Sequence, residues 1–141
     1  DPRTAPTTAK AAGLYMICTM SKNTAERNGF ADALMLDWRG YVAEATGANV
    51  FFVKDGVLHT PKVEHILDGI TRQTVIEIAQ AKGIEVRDIL PEELSDFSEC
   101  FLTGTAVEVT PVAEVGDYRF TPGALSLDLM ETYGRLVRRQ A

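Results

Sequence analysis

A polar segment ahead of the clearest amphipathic helix is the feature that most constrains this chain. The segment reads Leu67-Asp68-Gly69-Ile70-Thr71-Arg72, and apolar residues then recur at helical spacing. Small and polar residues typically begin a helix, so the pattern predicts a helix within 67–83. The first turn of a helix leaves backbone N–H groups unpaired at the positive end of the helix dipole, and this arrangement binds phosphate. The segment therefore fits either an ordinary capped helix or a phosphate site.

Strand and helix patterns are mixed along the rest of the chain. Strands are predicted at 33–37, 41–45, 49–53, 57–60, 84–89, 99–107 and 108–115, and further helices at 11–28, 90–94 and 122–139. The chain has 141 residues, enough for one domain with a sizeable core. The mixture predicts an α+β (α/β-like) domain with a curved mixed sheet and flanking helices.

Composition excludes several classes of protein. The net charge is −6 and there is no basic run, which disfavours nucleic acid and anionic membrane surfaces as partners. No apolar run is long enough to span a bilayer. The two cysteines, Cys18 and Cys100, lack metal-type spacing, so no metal site is predicted and both are expected to be free thiols. These features predict a cytoplasmic location.

The first nine residues differ from the rest in composition. They begin at Asp1-Pro2 and are rich in Pro, Thr and Ala, which is typical of a linker or extended segment. We therefore expect residues 1–9 to be a linker and the chain to be the C-terminal part of a longer polypeptide.

Two side chains near the start of the first helix have alternative interpretations. Lys10 lies among small residues, and it is either a solvated surface lysine or an amine held in a pocket, where it would react with aldehydes. Tyr15 follows just over one helical turn later, and it is either a core tyrosine or a second member of that pocket.

Glu44 is predicted in the middle of a strand among small and apolar neighbours. Alternation places Glu44 on the same face as Val42, which favours a buried carboxylate over a solvated one. A buried carboxylate needs a cationic partner, and a protonated pyridine nitrogen would serve.

The strand pattern near residue 104 is interrupted by Thr103-Gly104-Thr105. Glycine allows a sharp turn, and the Thr105 hydroxyl lies next to backbone N–H groups at this break. The segment is either a β-bulge or a second anion site.

Four ordered segments, 9–15, 44–51, 67–72 and 103–111, together resemble the motifs of the class IV (fold type IV) pyridoxal-phosphate aminotransferases, most closely the branched-chain type. The likeness runs from about Pro6 to the terminal helix. It implies the large C-terminal domain of fold type IV, with a pseudo-barrel sheet, over residues 10–141. It also implies a homodimer and a small N-terminal domain that this chain does not contain.

The resemblance assigns roles to individual residues. Lys10 resembles the lysine that forms the Schiff base and moves the proton, Glu44 the partner of the pyridine nitrogen, and Tyr15 the partner of the ring hydroxyl. Leu67 resembles the residue packed on the ring. Phosphate contacts are implied for Ile70, Thr71 and Thr105, and substrate carboxylate contacts for Thr105 and Ala106. Asn49, Gly69 and Gly104 belong to the same motifs and are implied in the cofactor site.

The implied reaction moves the amino group of a branched-chain L-amino acid to 2-oxoglutarate. Three alternatives remain open from the sequence. These are an aminodeoxychorismate-lyase-type enzyme, a D-amino acid aminotransferase, and an inactive fragment that lacks its N-terminal half.

Overall fold

A computed structural model describes residues 1–138 of the chain. Its helices are α1 (Tyr15–Arg27), α2 (Ile70–Ala79) and α3 (Ala124–Arg138). Its strands are β1 (Leu34–Leu36), β2 (Val42–Ala45), β3 (Asn49–Lys54), β4 (Val57–Thr60), β5 (Ile84–Val86), β6 (Glu99–Gly104), β7 (Glu108–Pro111), β8 (Glu114–Val115) and β9 (Tyr118–Arg119). Short 3-10 turns cover Ala12–Leu14, Val63–His65, Gln80–Lys82 and Pro91–Asp96. The last helix was predicted to reach position 139, which lies outside the described residues.

Five strands form the main sheet in the order β5-β4-β3-β6-β7. The β4–β5 pair is parallel and the other three pairs are antiparallel, so the sheet is mixed as predicted. Strand β3 lies at its centre, and Asn49 at the start of β3 is paired with Thr103 near the end of β6. Two smaller antiparallel pairs, β1–β2 and β8–β9, complete the strands.

The β3–β4 hairpin turns at Asp55-Gly56. Both residues have positive φ, 52° and 76°, as a two-residue turn between right-handed twisted strands requires. Glycine adopts this conformation without strain and aspartate tolerates it. This local requirement explains why the sequence pattern separates two strands here, at 49–53 and 57–60.

Buried side chains form a cluster on each face of the sheet, because successive residues of β3 and β6 point to opposite sides. Helices α2 and α3 cover one face, where Phe51 and Phe101 stack with ring centroids 5.1 Å apart. Val75 of α2 and Leu129 of α3 are fully buried in the same cluster. The opposite face packs around Phe52 and residues of the 89–97 segment. Asn49 and Thr103 share the face of Phe51 and Phe101, at the end of the sheet near the start of α2.

Helix α1 has no buried residue. Leu14, Ile17 and Cys18 are spaced so that they can share an apolar face of a helix, but Ile17 is exposed together with Met16 and Met20. The helical spacing of apolar residues therefore predicted the position of the helix correctly. The rest of the described chain, however, covers little of its apolar surface. None of the helices in residues 1–138 is long and apolar enough to cross a membrane.

Three predicted strands are markedly shorter than the sequence pattern indicated. Strand β5 ends at Val86 instead of Ile89, β6 ends at Gly104 instead of Val107, and the segment 108–115 divides into β7 and β8. Beyond Val86 the backbone still pairs, since the Arg87 N–H donates to the Thr60 carbonyl oxygen at 3.1 Å and the Ile89 carbonyl oxygen accepts from the Val42 N–H at 2.8 Å. The segment thus leaves the main sheet and runs toward β2, which brings Ile89 into the core.

Candidate functional site

A cavity of about 480 Å³ lies where the start of β3 and the end of β6 meet the beginnings of α1 and α2. All ten residues predicted to contact a cofactor lie in its wall: Lys10, Tyr15, Glu44, Asn49, Leu67, Gly69, Ile70, Thr71, Gly104 and Thr105. Ala106, which was predicted to bind substrate with Thr105, is exposed and is not in the wall. Residues far apart in sequence are therefore brought to one site.

Glu44 is a half-buried carboxylate in the wall of this cavity. Its Oε2 accepts from Asn49 Nδ2 at 3.0 Å, and its Oε1 accepts a long hydrogen bond from the Leu67 N–H at 3.4 Å. Burial raises the pKa of Glu44 to about 7, although the Leu67 hydrogen bond and the charge of Arg72 act in the opposite direction. Both hydrogen-bond donors are neutral, so this carboxylate has lost water without gaining a directly bonded cation.

Asn49 fixes the geometry between the sheet and the loop before α2. Its Nδ2 also donates to the Leu67 carbonyl oxygen at 2.7 Å. A Cβ added to Gly69 would lie 2.5 Å from Asn49 Oδ1, so only glycine allows the loop to approach this closely. Asn49 itself is buried, which leaves its amide little freedom to move.

The N-terminus of α2 lies in the cavity wall without a side-chain cap. Gly69 occupies the N-cap position, and because glycine has no side chain it cannot cap the helix. The N–H groups of the first helical residues have no intrahelical acceptor and add to the positive end of the helix dipole. Thr71 places a hydroxyl at the same point, and Ile70 is exposed. This end of the cavity can therefore bind an anion.

The end of β6 forms the wall next to α2. A Cβ added to Gly104 would lie 3.5 Å from the Gly47 carbonyl oxygen, so the β6–β7 turn lies against the β2–β3 turn. The Thr103 hydroxyl is fully buried in the cavity wall and has no hydrogen-bond partner within residues 1–138. A buried hydroxyl without a partner is costly, and an acceptor bound in the cavity would remove that cost.

Tyr15 and Lys10 line the cavity from the start of α1. Burial raises the pKa of the Tyr15 hydroxyl, and the negative charge of Glu44 raises it further. Lys10 is exposed, so the described chain does not by itself shield the amine from water as a closed pocket would. The cavity thus offers an amine, a phenol, a carboxylate and an anion-binding helix end, which together suit a flat anionic molecule with an electrophilic group.

Several residues of this region were not identified from the sequence, and Arg72, Cys18 and Thr103 are among them. Arg72 is buried, with a relative exposure of 2%, and its guanidinium donates to Asp68 Oδ1 at 2.7 Å and to the Pro61 carbonyl oxygen at 3.0 Å. The spacing of four residues between Asp68 and Arg72 was a usable signal for their pairing. Cys18 and Thr103 also line the cavity, but no local pattern distinguishes them from ordinary core residues.

Two further findings concern the edges of the site. Residues 1–9 form turns, with the Thr4 N–H bonded to the Asp1 carbonyl oxygen at 3.0 Å and the Ala9 N–H to that of Pro6 at 3.2 Å. This segment lies along the cavity and does not extend away from it. Within residues 1–138, no group of three or more His, Cys, Asp or Glu side chains is arranged to hold a metal ion.

Comparison with known proteins gives a consistent result. Residues 1–115 match the family described as Amino-transferase class IV. A Rickettsia bellii protein named "Probable branched-chain-amino-acid aminotransferase" is 44% identical over 143 residues, which cover 97% of this chain and 50% of that protein. The branched-chain-amino-acid aminotransferase of Escherichia coli K12 is 44% identical over 117 residues, or 81% of this chain and 38% of that protein. The chain spans about half the length of the first of these relatives.

Solved structures agree with the sequence comparison. The branched-chain aminotransferase of Thermoproteus uzoniensis with norvaline superposes with a TM-score of 0.93 at 38% identity, covering 97% of this chain and 47% of that one. The branched-chain amino acid aminotransferase of Thermobaculum terrenum in its PLP form gives a TM-score of 0.95 at 34% identity, covering 100% of this chain and 48% of that one. The predicted fold class is confirmed by these similarities.

Proposed function

The chain belongs to the class IV aminotransferases, and from this premise we propose that it forms the cofactor-binding part of a pyridoxal-phosphate-dependent aminotransferase. The proposed reaction moves the amino group of a branched-chain L-amino acid to 2-oxoglutarate. One observation carries the proposal, namely that a single cavity is lined by all ten residues predicted to contact the cofactor. The names of the relatives support the branched-chain amino acid aminotransferase over the lyase and the D-amino acid aminotransferase.

The residues fit pyridoxal phosphate at two separate points. The uncapped start of α2 and the buried, unpartnered Thr103 hydroxyl suit a phosphate group, which is rich in acceptors. Glu44 lacks a directly bonded cation, and a protonated pyridine nitrogen would supply one. Neither feature is explained by the packing of the described chain alone.

Each residue has a proposed task. Glu44 holds the proton on the ring nitrogen, Tyr15 hydrogen-bonds the ring hydroxyl, and Leu67 packs on the ring. Gly69 and Gly104 give the backbone close access at the two sides of the cavity. The N–H groups of Ile70 and Thr71 and the Thr71 and Thr105 hydroxyls bind the phosphate. Bound pyridoxal phosphate supplies an aldehyde for the amino group and a ring that withdraws electrons.

Lys10 is proposed as the catalytic residue. Its amine takes and returns the proton at the substrate Cα. We assign this role to Lys10 because it is the one lysine among the described residues that line the cavity. The backbone N–H groups of Thr105 and Ala106 are proposed to bind the substrate carboxylate. Ala106 lies outside the cavity wall, so its contact requires the substrate to extend past Thr105.

We propose further that the complete protein contains a small N-terminal domain and that residues 1–9 connect it to the domain formed by residues 10–141. Support comes from the half-length coverage of the relatives and from the exposed Lys10, which a second domain would cover. The exposed apolar surface of α1 supports packing of additional polypeptide against it. A homodimer remains a prediction from the family resemblance, and a cytoplasmic location remains a prediction from the composition of the chain.

The proposal is tested by borohydride reduction of the complete polypeptide in the presence of pyridoxal phosphate, followed by peptide mass spectrometry. We expect the Lys10 peptide to gain the mass of the reduced cofactor and Lys10→Ala to abolish this labelling. The matched control is Lys22→Ala, which removes an exposed lysine of α1 outside the cavity wall. Labelling that is unchanged by Lys10→Ala would overturn the assignment.

Amino transfer to 2-oxoglutarate from a branched-chain L-amino acid then separates the proposed reaction from the alternatives. Release of pyruvate from aminodeoxychorismate would indicate the lyase, and transfer from D-amino acids alone would indicate the D-specific enzyme. Cofactor labelling and turnover that are present in the complete polypeptide but absent from residues 1–141 alone would indicate that this part is inactive without its N-terminal half.

A further inference from the structure

Within the described residues, the Thr71 hydroxyl makes no hydrogen bond to its own helix, α2. Thr71 is the second residue of α2, has a relative exposure of 6%, and lines the cavity. A threonine in a helix often donates to the carbonyl four residues earlier, as Thr74 does to Ile70 at 3.0 Å. For Thr71 the residue four positions earlier is Leu67, which lies before the start of α2, and the Leu67 carbonyl oxygen accepts from Asn49 Nδ2 at 2.7 Å.

A hydroxyl from the C-terminal helix approaches Thr71 instead. Tyr133 OH lies 3.4 Å from Thr71 Oγ1, although the two residues are 62 positions apart. The Tyr133 ring packs against the cluster that joins α2 and α3 to the sheet, which includes Val75 and Leu129. The tyrosine hydroxyl is therefore carried by a side chain anchored in the core.

The direction of this hydrogen bond depends on what else binds Thr71. A hydroxyl can donate one proton and accept others, whereas a phosphate oxygen only accepts. When an anion binds at the start of α2, the Thr71 proton points to the anion and Thr71 Oγ1 becomes an acceptor. The Tyr133 proton is then the matching donor, and hydrogen bonds arranged in a chain strengthen one another.

We propose that Tyr133 is a positioning residue for the anion end of the cavity: its hydroxyl donates to Thr71 Oγ1 and so directs the Thr71 proton toward the phosphate of the cofactor. The inference deepens the proposed function and rests on its phosphate site. Tyr133 lies beyond residues 1–115, which match the family, so the role is assigned by the contact with Thr71 alone.

The test is a double-mutant cycle in the complete polypeptide with Tyr133→Phe, which removes a hydroxyl group, and Thr71→Val, which replaces a hydroxyl with a methyl group of similar size. The dissociation constants of pyridoxal phosphate, pyridoxal and inorganic phosphate are measured for each variant. Tyr133→Phe is expected to weaken pyridoxal phosphate binding by about two- to ten-fold in the wild-type background. In the Thr71→Val background it is expected to have no further effect, because the hydroxyl that it orients is absent.

Two controls separate positioning from a structural role. Binding of pyridoxal, which has no phosphate, is expected to be the same in wild type and Tyr133→Phe. Tyr118→Phe removes a hydroxyl from β9, outside the cavity wall, and should leave all three dissociation constants unchanged. A loss for pyridoxal equal to that for pyridoxal phosphate would overturn the proposal, as would an equal loss in both Thr71 backgrounds.

Failure of the proposed function gives a different pattern. If wild-type protein binds inorganic phosphate but not pyridoxal phosphate, the cofactor assignment is wrong, and the same cycle with inorganic phosphate decides the role of Tyr133. If the wild-type protein binds neither ligand, the phosphate site and the role of Tyr133 are both overturned.

Discussion

The Glu44 carboxylate accepts a hydrogen bond from the Asn49 side-chain amide at 3.0 Å, across the turn between β2 and β3. The same amide nitrogen holds the Leu67 carbonyl oxygen at 2.7 Å, so the acid and the loop before α2 are fixed to one side chain. An amide is neutral, and it therefore orients Glu44 without neutralising its charge. Burial consequently dominates, and it raises the pKa of Glu44 to about 7.

This raised pKa predicts that Glu44 makes protein stability depend on pH. Between the ordinary pKa of 4.5 and about 7, the unfolded chain has released the proton while the folded protein still holds it. As the pH rises, the free energy of unfolding therefore falls by up to about 1.4 kcal/mol per pH unit, and by about 3 kcal/mol over the whole window. The stabilisation that the protonated Glu44 contributes is fully present below pH 4.5 and is lost above about pH 7.

The measurement is urea unfolding of wild type and Glu44→Gln from about pH 4 to about pH 8. Glutamine cannot ionise, so the variant should lack this component of the pH dependence. The control is Glu131→Gln, a change at an exposed position of α3. If the difference between wild type and Glu44→Gln is the same at every pH, Glu44 does not titrate differently in the folded protein.

The close approach of Gly69 to Asn49 predicts a steric cost for Gly69→Ala. The backbone of Gly69, with φ −67° and ψ 143°, suits alanine, so the cost comes only from the new Cβ. That atom would lie 2.5 Å from Asn49 Oδ1, and the buried amide cannot move without losing its bonds to Glu44 and Leu67. We expect a loss of about 1–3 kcal/mol in the free energy of unfolding and weaker pyridoxal phosphate binding.

Chemical denaturation in two backgrounds checks this prediction. Gly69→Ala should cost less in the Asn49→Ala background, because the clash is removed there. Gly13→Ala is the control, since a Cβ at Gly13 meets nothing within 4 Å and its φ is not positive. Equal costs in both backgrounds would show that Asn49 is not the obstacle.

Because Arg72 is buried, its substitution is expected to lower the free energy of unfolding far more than substitution of the exposed Arg135. Its guanidinium donates to Asp68, to the Pro61 carbonyl oxygen and to Thr60 Oγ1, so it joins the end of β4 to the start of α2. Arg72→Met should lower the free energy of unfolding by about 2–4 kcal/mol, because buried acceptors lose their donors. It should also raise the pKa of Glu44 further, since the Arg72 charge lowers it.

The matched substitution is Arg135→Met on α3, which removes an exposed arginine paired with Glu131 four residues earlier. Such exposed pairs contribute little, so we expect a change within about 0.5 kcal/mol. Both variants are compared by urea unfolding at one pH. Similar losses in the two variants would mean that Arg72 does not join the two elements.

Local chemistry made part of this structure predictable. The Asp55-Gly56 turn requires positive φ values that few residues tolerate, and the start of α2 is marked by small and polar residues. Glu44 is half-buried, as the small and apolar neighbours along β2 indicated. Each of these three features depends on residues that are close together in the sequence, so a local sequence pattern can predict it.

Other features depend on which elements meet in space. The burial of Arg72 and the contact between Tyr133 and Thr71 arise from packing between elements far apart in sequence, which periodicity does not specify. Ile17 is apolar but exposed in the described chain. An apolar helix face indicates that another surface packs on it, but the sequence pattern does not say which surface that is. The environment of Lys10 is also not specified by local sequence, since shielding of its amine from water requires contacts beyond those of the described residues.

The two thiols are predicted to differ in reactivity, and only one of them should respond to the cofactor. Cys100 is buried in β6, and burial strongly raises the pKa of its thiol. Cys18 is half-buried in the cavity wall, where burial raises its pKa and the charges of Glu44 and Asp32 raise it further. Since the thiolate is the reactive form, N-ethylmaleimide should label Cys18 slowly near neutral pH and Cys100 only after unfolding.

Bound pyridoxal phosphate should slow Cys18 labelling by several-fold, because a ligand in the cavity covers the wall that contains this thiol. Peptide mass spectrometry assigns the label, Cys18→Ser removes the reactive position, and Cys100 is an internal control for unfolding. Pyridoxal phosphate that leaves the Cys18 rate unchanged at a saturating concentration would mean that the ligand binds outside this cavity. Simultaneous labelling of both thiols would instead report opening of the core around Phe52, where Cys100 is packed, and protection of Cys18 would then measure stability, not occupancy.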